Sequence, residues 1–266
     1  MPVIATFKEA DVHGRLCLLV EAESLFNDGA AAVAFSLALG FAIGGNITLF
    51  GTAQTLLITV AGGILCGVLV AGSVLLLAGR TEDHLIEITL TMVAAYGSFL
   101  LAEHFHLSGV LASLVAGLLT GIVGSLGSFT DKGREGVLSF WEFIAFVVNS
   151  LIFMLIGIGG AYQNFTNLLF PIMIAIVLMF VGRALAIYLL SAVFARSSLQ
   201  LSLNHQHILF WGGLRGALAL ALALGLPSEF PGREAIITVA FAVVGYSIFV
   251  QGLSMVPLLR KLKEIP

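Results

Sequence analysis

Glu23, Ser24, Asn27 and Asp28 place two carboxylates, a hydroxyl and an amide within six residues. Positions 23 and 27 are four apart, as are 24 and 28, so on a helix both pairs stack on adjoining strips of one face. Apolar residues follow at once, from Gly29-Ala30-Ala31-Ala32 to about Gly45. A carboxylate inside a membrane helix is costly when charged and unpaired, so its presence there points to a task. Hard oxygen ligands of this kind suit Na⁺ or Li⁺, and a carboxylate takes H⁺ equally well. A site that alternates the two needs an acid that gains and loses its proton in the working pH range, which burial can arrange. Ion binding centred on a buried Asp28 is the first reading. The alternative is an interfacial helix start over residues 21–28 whose acids favour the helix dipole.

A second constellation is Trp211-Gly212-Gly213-Leu214-Arg215-Gly216, three glycines around one arginine within a long apolar segment. Glycines weaken a helix and suit an interrupted one, where transporters place ion sites. Arg215 keeps its charge in practice and calls for a carboxylate partner. Glu23 is the preferred partner, an assignment that leaves Asp28 to titrate; the other reading pins Arg215 on backbone carbonyls for packing alone. Arg183 joins the same network or pairs with Glu142. Glu142 and Asn149 are seven apart, share a helix face and make secondary polar contacts, Asn149 by default a helix–helix hydrogen bond. Glu87 and Thr91, near a helix start, read as a solvated acid and its neighbour. The histidine pairs 104/106 and 205/207 sit at connections without metal-ligand spacing, and Cys17 and Cys66 form no disulfide framework. Asp28 as a transient Na⁺ ligand is the only metal contact expected, and no cofactor is.

These residues must be carried by membrane helices. Hydrophobic residues make up 59% of the 266 and charged residues 10%, against about 25% charged in a soluble domain, with a mean hydropathy of +1.08. Apolar stretches and their punctuation give an all-alpha polytopic membrane protein of about eight spans: 23–45, 52–79, 85–105, 108–125, 138–160, 168–195, 205–226 and 234–257. An even count puts both termini on one side. That side collects Lys8, Arg15, Arg80, Lys132, Arg134, Arg196, Arg260, Lys261 and Lys263, and the other only Arg233. Nine against one is a strong positive-inside bias, so both termini are expected in the cytoplasm. Gly63/Gly67 and Gly117/Gly121 have the spacing that lets helices approach closely. No basic cluster with interleaved aromatics suggests nucleic acid. A channel lacks filter repeats, and a membrane enzyme lacks a nucleophile and base on one face.

Three stretches together resemble a known family. Leu19-Val20-Glu21-Ala22-Glu23-Ser24-Leu25-Phe26-Asn27-Asp28-Gly29 is similar to the signature of the monovalent cation/proton antiporters of sodium/hydrogen exchanger or NhaP type. The stretch from Phe140-Trp141-Glu142 through Asn149-Ser150-Leu151-Ile152-Phe153-Met154-Leu155-Ile156-Gly157 resembles another of its segments, as does Gly212-Gly213-Leu214-Arg215-Gly216-Ala217. The resemblance covers essentially the entire chain, with the three motifs in the family's order.

The resemblance implies a partial NhaA/NhaP-like inverted-repeat fold and secondary exchange of Na⁺, Li⁺ or K⁺ for H⁺, serving pH homeostasis at a prokaryotic-type plasma membrane. Asp28 would hold cation and proton by turns. Asn27 would be the asparagine of members exchanging one H⁺ per Na⁺, and Ser24 would stand near the ion. Glu23 would salt-bridge an arginine, most directly Arg215, with Arg183 in support. Core elements 1–50 and 165–260 would move against scaffold elements 51–164, through which two copies form a homodimer. The family has more spans than eight and carries a Thr-Asp-Pro motif on an unwound helix; Pro2-Val3 resembles that motif's tail without its Thr and Asp. The chain therefore reads as the C-terminal two-thirds of such a transporter, expected to exchange poorly alone. The alternative function is a non-transporting fragment or assembly subunit.

Overall fold

Long apolar runs can satisfy their backbone groups in a bilayer only as helices or closed barrels. The computed structural model of the chain, which describes residues 15–44, 49–195, 197, 200–213, 216–262 and 264, contains helices and no strand among them. In order they are α1 (Arg15–Ala42), α2 (Leu49–Ala78), α3 (His84–His104), α4 (Gly109–Val123), α5 (Asp131–Ala161), α6 (Thr166–Val193), α7 (Leu203–Trp211), α8 (Ala217–Leu224) and α9 (Arg233–Lys261). Among the described residues six of these, not the expected eight, are long and apolar enough to cross a membrane: α1, α2, α3, α5, α6 and α9. The α4 helix has 15 residues, about 22 Å at the α-helical rise, against a hydrocarbon core of about 30 Å. The expected span 205–226 is two short helices of 9 and 8 residues, α7 and α8, because the glycine-rich stretch interrupts it. Two helices carry π-helical turns, Leu185–Leu189 in α6 and Ser247–Gly252 in α9.

The chain packs as two units, one of Met1–Ser24 with Leu151–Pro266 and the other of Leu25–Ser150. In the second unit α2, α3 and α4 pack on one another. Asp83 caps α3 by accepting from the Leu85 N–H at 2.9 Å. Ser108 caps α4 through the Leu111 N–H at 3.3 Å, while Glu103 accepts from the Gly109 N–H at 3.3 Å. These side chains satisfy helix-start donors that have no partner within the helix. Gly63 and Gly67 act as their spacing suggests: a Cβ at 63 would lie 2.7 Å from the Ser108 carbonyl, and one at 67 would overlap the Ala112 carbonyl. Gly117 and Gly121 face open space instead and border a cavity of about 370 Å³ walled mainly by apolar atoms.

Glu87 is not solvated; it is fully buried, as is Thr91 nearly so. Its carboxylate accepts from the Thr130 N–H at 3.0 Å and the Thr130 hydroxyl at 3.1 Å, directly before α5. A carboxylate at a helix N-terminus meets unpaired N–H groups and a favourable dipole. The approach is possible because position 133 is glycine: any Cβ there would overlap the Glu87 carboxylate. Thr91 accepts from the Trp141 indole at 2.9 Å. Glu87→Ala should lower stability by about 1–3 kcal/mol, the scale of a buried hydrogen-bonding group left unpaired. The midpoint of thermal unfolding in detergent measures it, and an unchanged midpoint in the Ala variant contradicts the latch.

The first unit has two apolar clusters. Val20, Ile208, Leu209, Met255 and Leu259 join α1, α7 and α9. Leu220, Ala223, Ile237, Phe241 and Val244 join α8 and α9. The large apolar side chains left exposed, among them Leu57, Phe146, Phe170 and Leu253, are suited to lipid contact, where burial in protein brings no hydrophobic gain.

Candidate functional site

Val20 anchors α1 in the first cluster, and Glu23 lies one turn further along the same helix. Its carboxylate meets Arg183 of α6 in a two-pronged ion pair, Nη1 to Oε1 at 2.9 Å and Nη2 to Oε2 at 3.1 Å. The Arg183 side chain is 6% exposed and that of Glu23 33%. Paired oxygens and nitrogens match the fork of a guanidinium, the strongest geometry for such a pair. Glu23 thus pairs with Arg183, which the sequence placed in support; the preferred partner, Arg215, lies outside the described residues, as does the Pro2-Val3 stretch.

Arg183 does more than neutralise Glu23. Its Nε–H donates to the Phe210 carbonyl at 2.9 Å and the Leu209 carbonyl at 3.1 Å, and Nη2 also donates to the Leu209 carbonyl. These carbonyls belong to the last turn of α7, where the helix leaves acceptors unsatisfied and its dipole favours a cation. One guanidinium therefore closes the end of a broken helix and ties it to α1. Gly213, buried just beyond α7, lies against this group; a Cβ there would overlap the Arg183 guanidinium. The break also begins in a defined way, with the Gly212 N–H donating to the Ile208 carbonyl at 2.7 Å.

Ser24, Asn27 and Asp28 continue along α1, at helix offsets that put their oxygens on one side. Ser24 and Asn27 are half-buried and Asp28 is exposed, so the description of Asp28 as buried does not hold. The packed side of α1 beyond it is formed by Gly29, Ala32 and Val33, with Leu111 in contact at Gly29. A helix buries one stripe, and in this stretch the small residues occupy it. On α5, Glu142 is exposed and Asn149 half-buried, both within the second unit. No group of three or more His, Cys, Asp and Glu able to hold a metal ion occurs among the described residues.

Sequence reasoning passed over Ser247 and Gln251 of α9, both fully buried. The Gln251 amide donates to the Trp211 carbonyl at 3.2 Å, next to the carbonyls held by Arg183. Two polar residues four apart in an apolar helix were the available signal.

The amino-acid sequence has counterparts among known proteins. The family model described as sodium/hydrogen exchanger, transmembrane, matches residues 2–261. The chain is 40% identical to the low-affinity Na⁺/H⁺ antiporter NhaS1 of Synechocystis over 95% of its own length and 49% of that protein's. It is 40% identical to the Na⁺/H⁺ antiporter ApNhaP of Aphanothece halophytica, covering 98% of itself and 50% of the relative. It is 33% identical to the Na⁺/H⁺ antiporter NhaH of Halobacillus dabanensis, covering 99% and 65%. The chain thus spans about half the length of the first two curated relatives and about two-thirds of the third. Its apolar spans and prokaryotic relatives mark an integral membrane protein of prokaryotic plasma-membrane type. The extended match and the helix-break motif together place the chain in the sodium/hydrogen exchanger family, whose members are transporters and not enzymes.

Proposed function

We propose that the chain carries the cation-exchange machinery of a Na⁺ (or Li⁺, K⁺)/H⁺ antiporter, with Asp28 binding cation and proton in competition. The observation that carries this reading is that Glu23, not Asp28, neutralises the buried Arg183. Asp28 is therefore not required as that arginine's counter-ion. Relatives named as Na⁺/H⁺ antiporters support the choice of ions. The Ser24 hydroxyl, the Asn27 amide oxygen and the Asp28 carboxylate supply hard oxygen ligands from one face of α1. Na⁺ binds the ionised acid on one side of the membrane, the core elements 1–50 and 165–260 shift against 51–164, and H⁺ displaces the ion on the other side. The packing units draw a boundary after Ser24 rather than after residue 50. A bare carboxylate is costly to carry through hydrocarbon, so only the loaded or protonated form crosses.

Purified chain in liposomes tests this. An imposed Na⁺ gradient should drive a saturating H⁺ flux, slow because the chain alone is expected to exchange poorly. As pH falls the acid fills with protons, and half-saturating Na⁺ should climb toward about tenfold per pH unit at constant maximal rate, as one-for-one competition requires. A half-saturating concentration independent of pH would sink the shared site. The exposure of Asp28 favours a second reading, an assembly subunit whose polar face another polypeptide covers, since lipid does not tolerate it bare. Exchange that appears only when the chain is reconstituted with a copurifying partner selects that reading.

A further inference from the structure

Within α9 the π-helical turn Ser247–Gly252 holds a fully buried amide that the exchange reaction, as described, does not use. The Ser247 hydroxyl donates to the Gln251 Oε1 at 2.8 Å, which orients the amide so that its Nε2–H donates to the Trp211 carbonyl at 3.2 Å. The Trp211 indole in turn donates to the Ser254 hydroxyl oxygen at 2.8 Å. Trp211 is the last residue of α7. Three successive carbonyls at the helix break, those of Leu209, Phe210 and Trp211, are thus held by fixed donors, the first two by Arg183 and the third by Gln251. An apolar side chain at 251 would fill the space and take this donor from the third carbonyl.

We propose that Gln251, oriented by Ser247, is a positioning residue for cation binding. It fixes the Trp211 carbonyl and so the Gly212-Gly213 link that lies against Arg183. Arg183 holds Glu23 on α1, the helix that carries Asp28. Interrupted helices are where transporters shape their ion sites, and an unwound link needs its ends fixed to present one geometry. The proposal rests on the exchange reading above. The charged groups at this end of α7 are Arg183 of α6 and Glu23 of α1 among the described residues.

Three variants in the liposome assay test it. Gln251→Leu should raise half-saturating Na⁺ about tenfold, the scale of one lost buried hydrogen bond, with the maximal rate nearly unchanged. Gln251→Glu should rescue: a protonated carboxyl donates to the Trp211 carbonyl, and an ionised one cannot. Its Na⁺ affinity should match the parent's at low pH and fall below it as pH rises, the reverse of the trend that proton competition gives the parent. Ser247→Ala should lie between the parent and the Leu variant. Parental affinity at every pH in both Gln251 variants, or loss of maximal rate alone, overturns the proposal. Hydrogen–deuterium exchange separates it from the exchange reading: the Gly212 and Gly213 amides should exchange about tenfold faster in Gln251→Leu. Unchanged exchange at the link overturns the positioning role even if transport is absent in the parent, and silence in transport alone overturns only the exchange reading.

Discussion

Replacing Arg183 with alanine is expected to cost about 3–5 kcal/mol of stability, the range for breaking a buried ion pair from one side. The loss has two parts. Glu23 is left with a partly buried charge and no cation among the described residues, and the Leu209 and Phe210 carbonyls at the end of α7 lose their donor. A double-mutant cycle separates them. Glu23→Ala in the Arg183→Ala background should cost far less than Glu23→Ala alone, because its partner is already gone; the coupling should exceed about 1 kcal/mol. What remains in the double variant reports the unpaired carbonyls, about 1–3 kcal/mol. Arg183→Lys should fall between, since an ammonium keeps the charge but cannot serve a carboxylate and two carbonyls with one planar fork. The midpoint of thermal unfolding in detergent reads the parent and all four variants. A shift in Arg183→Ala no larger than that of a surface substitution would show that the guanidinium does not hold α1 and α7 together.

The choice of partner is the part of this site that the sequence hides. Both Arg183 and Arg215 sit in apolar segments, and both lie far along the chain from Glu23. Spacing identifies each as an arginine in need of an acid, but only the packing of α6 beside α1 shows that Arg183 meets Glu23. The glycines around Arg215 were more visible and drew the assignment. Those glycines also encode an interrupted helix, with Gly213 small enough to admit the guanidinium of another helix.

The same division runs through the fold. Hydropathy located the helical segments because a bilayer imposes length and apolarity directly on sequence. It did not show which runs are unbroken helices: 205–226 is apolar throughout although its backbone is interrupted between α7 and α8. Glu87 looked like a solvated acid because it stands in the first turn of α3. Its burial depends on Gly133 and Thr130, more than forty residues away, and no local pattern carries that contact. Gln251 was overlooked for a related reason: a neutral amide in an apolar helix raises no alarm of the kind a carboxylate does. Its partner is a backbone carbonyl, which every residue has and no sequence motif marks.

Asp28→Asn should abolish exchange while leaving stability within about 0.5 kcal/mol of the parent, the usual scale for an exposed position. Asparagine keeps the shape and an oxygen ligand but removes both the negative charge that attracts Na⁺ and the group that takes up H⁺. Neither half of the cycle survives that loss, so H⁺ flux should fall to the level of empty liposomes at every pH. Asp28→Glu restores the charge one methylene further out and should recover flux with altered Na⁺ affinity. The contrast with Glu23 is the stringent part. The two acids lie five residues apart on α1, yet Glu23→Ala should strike the unfolding midpoint and Asp28→Asn should strike transport alone. Coupled flux that persists in Asp28→Asn, or an unfolding midpoint that falls as far as in Glu23→Ala, would mean that the second acid supports the helix rather than carries the ion.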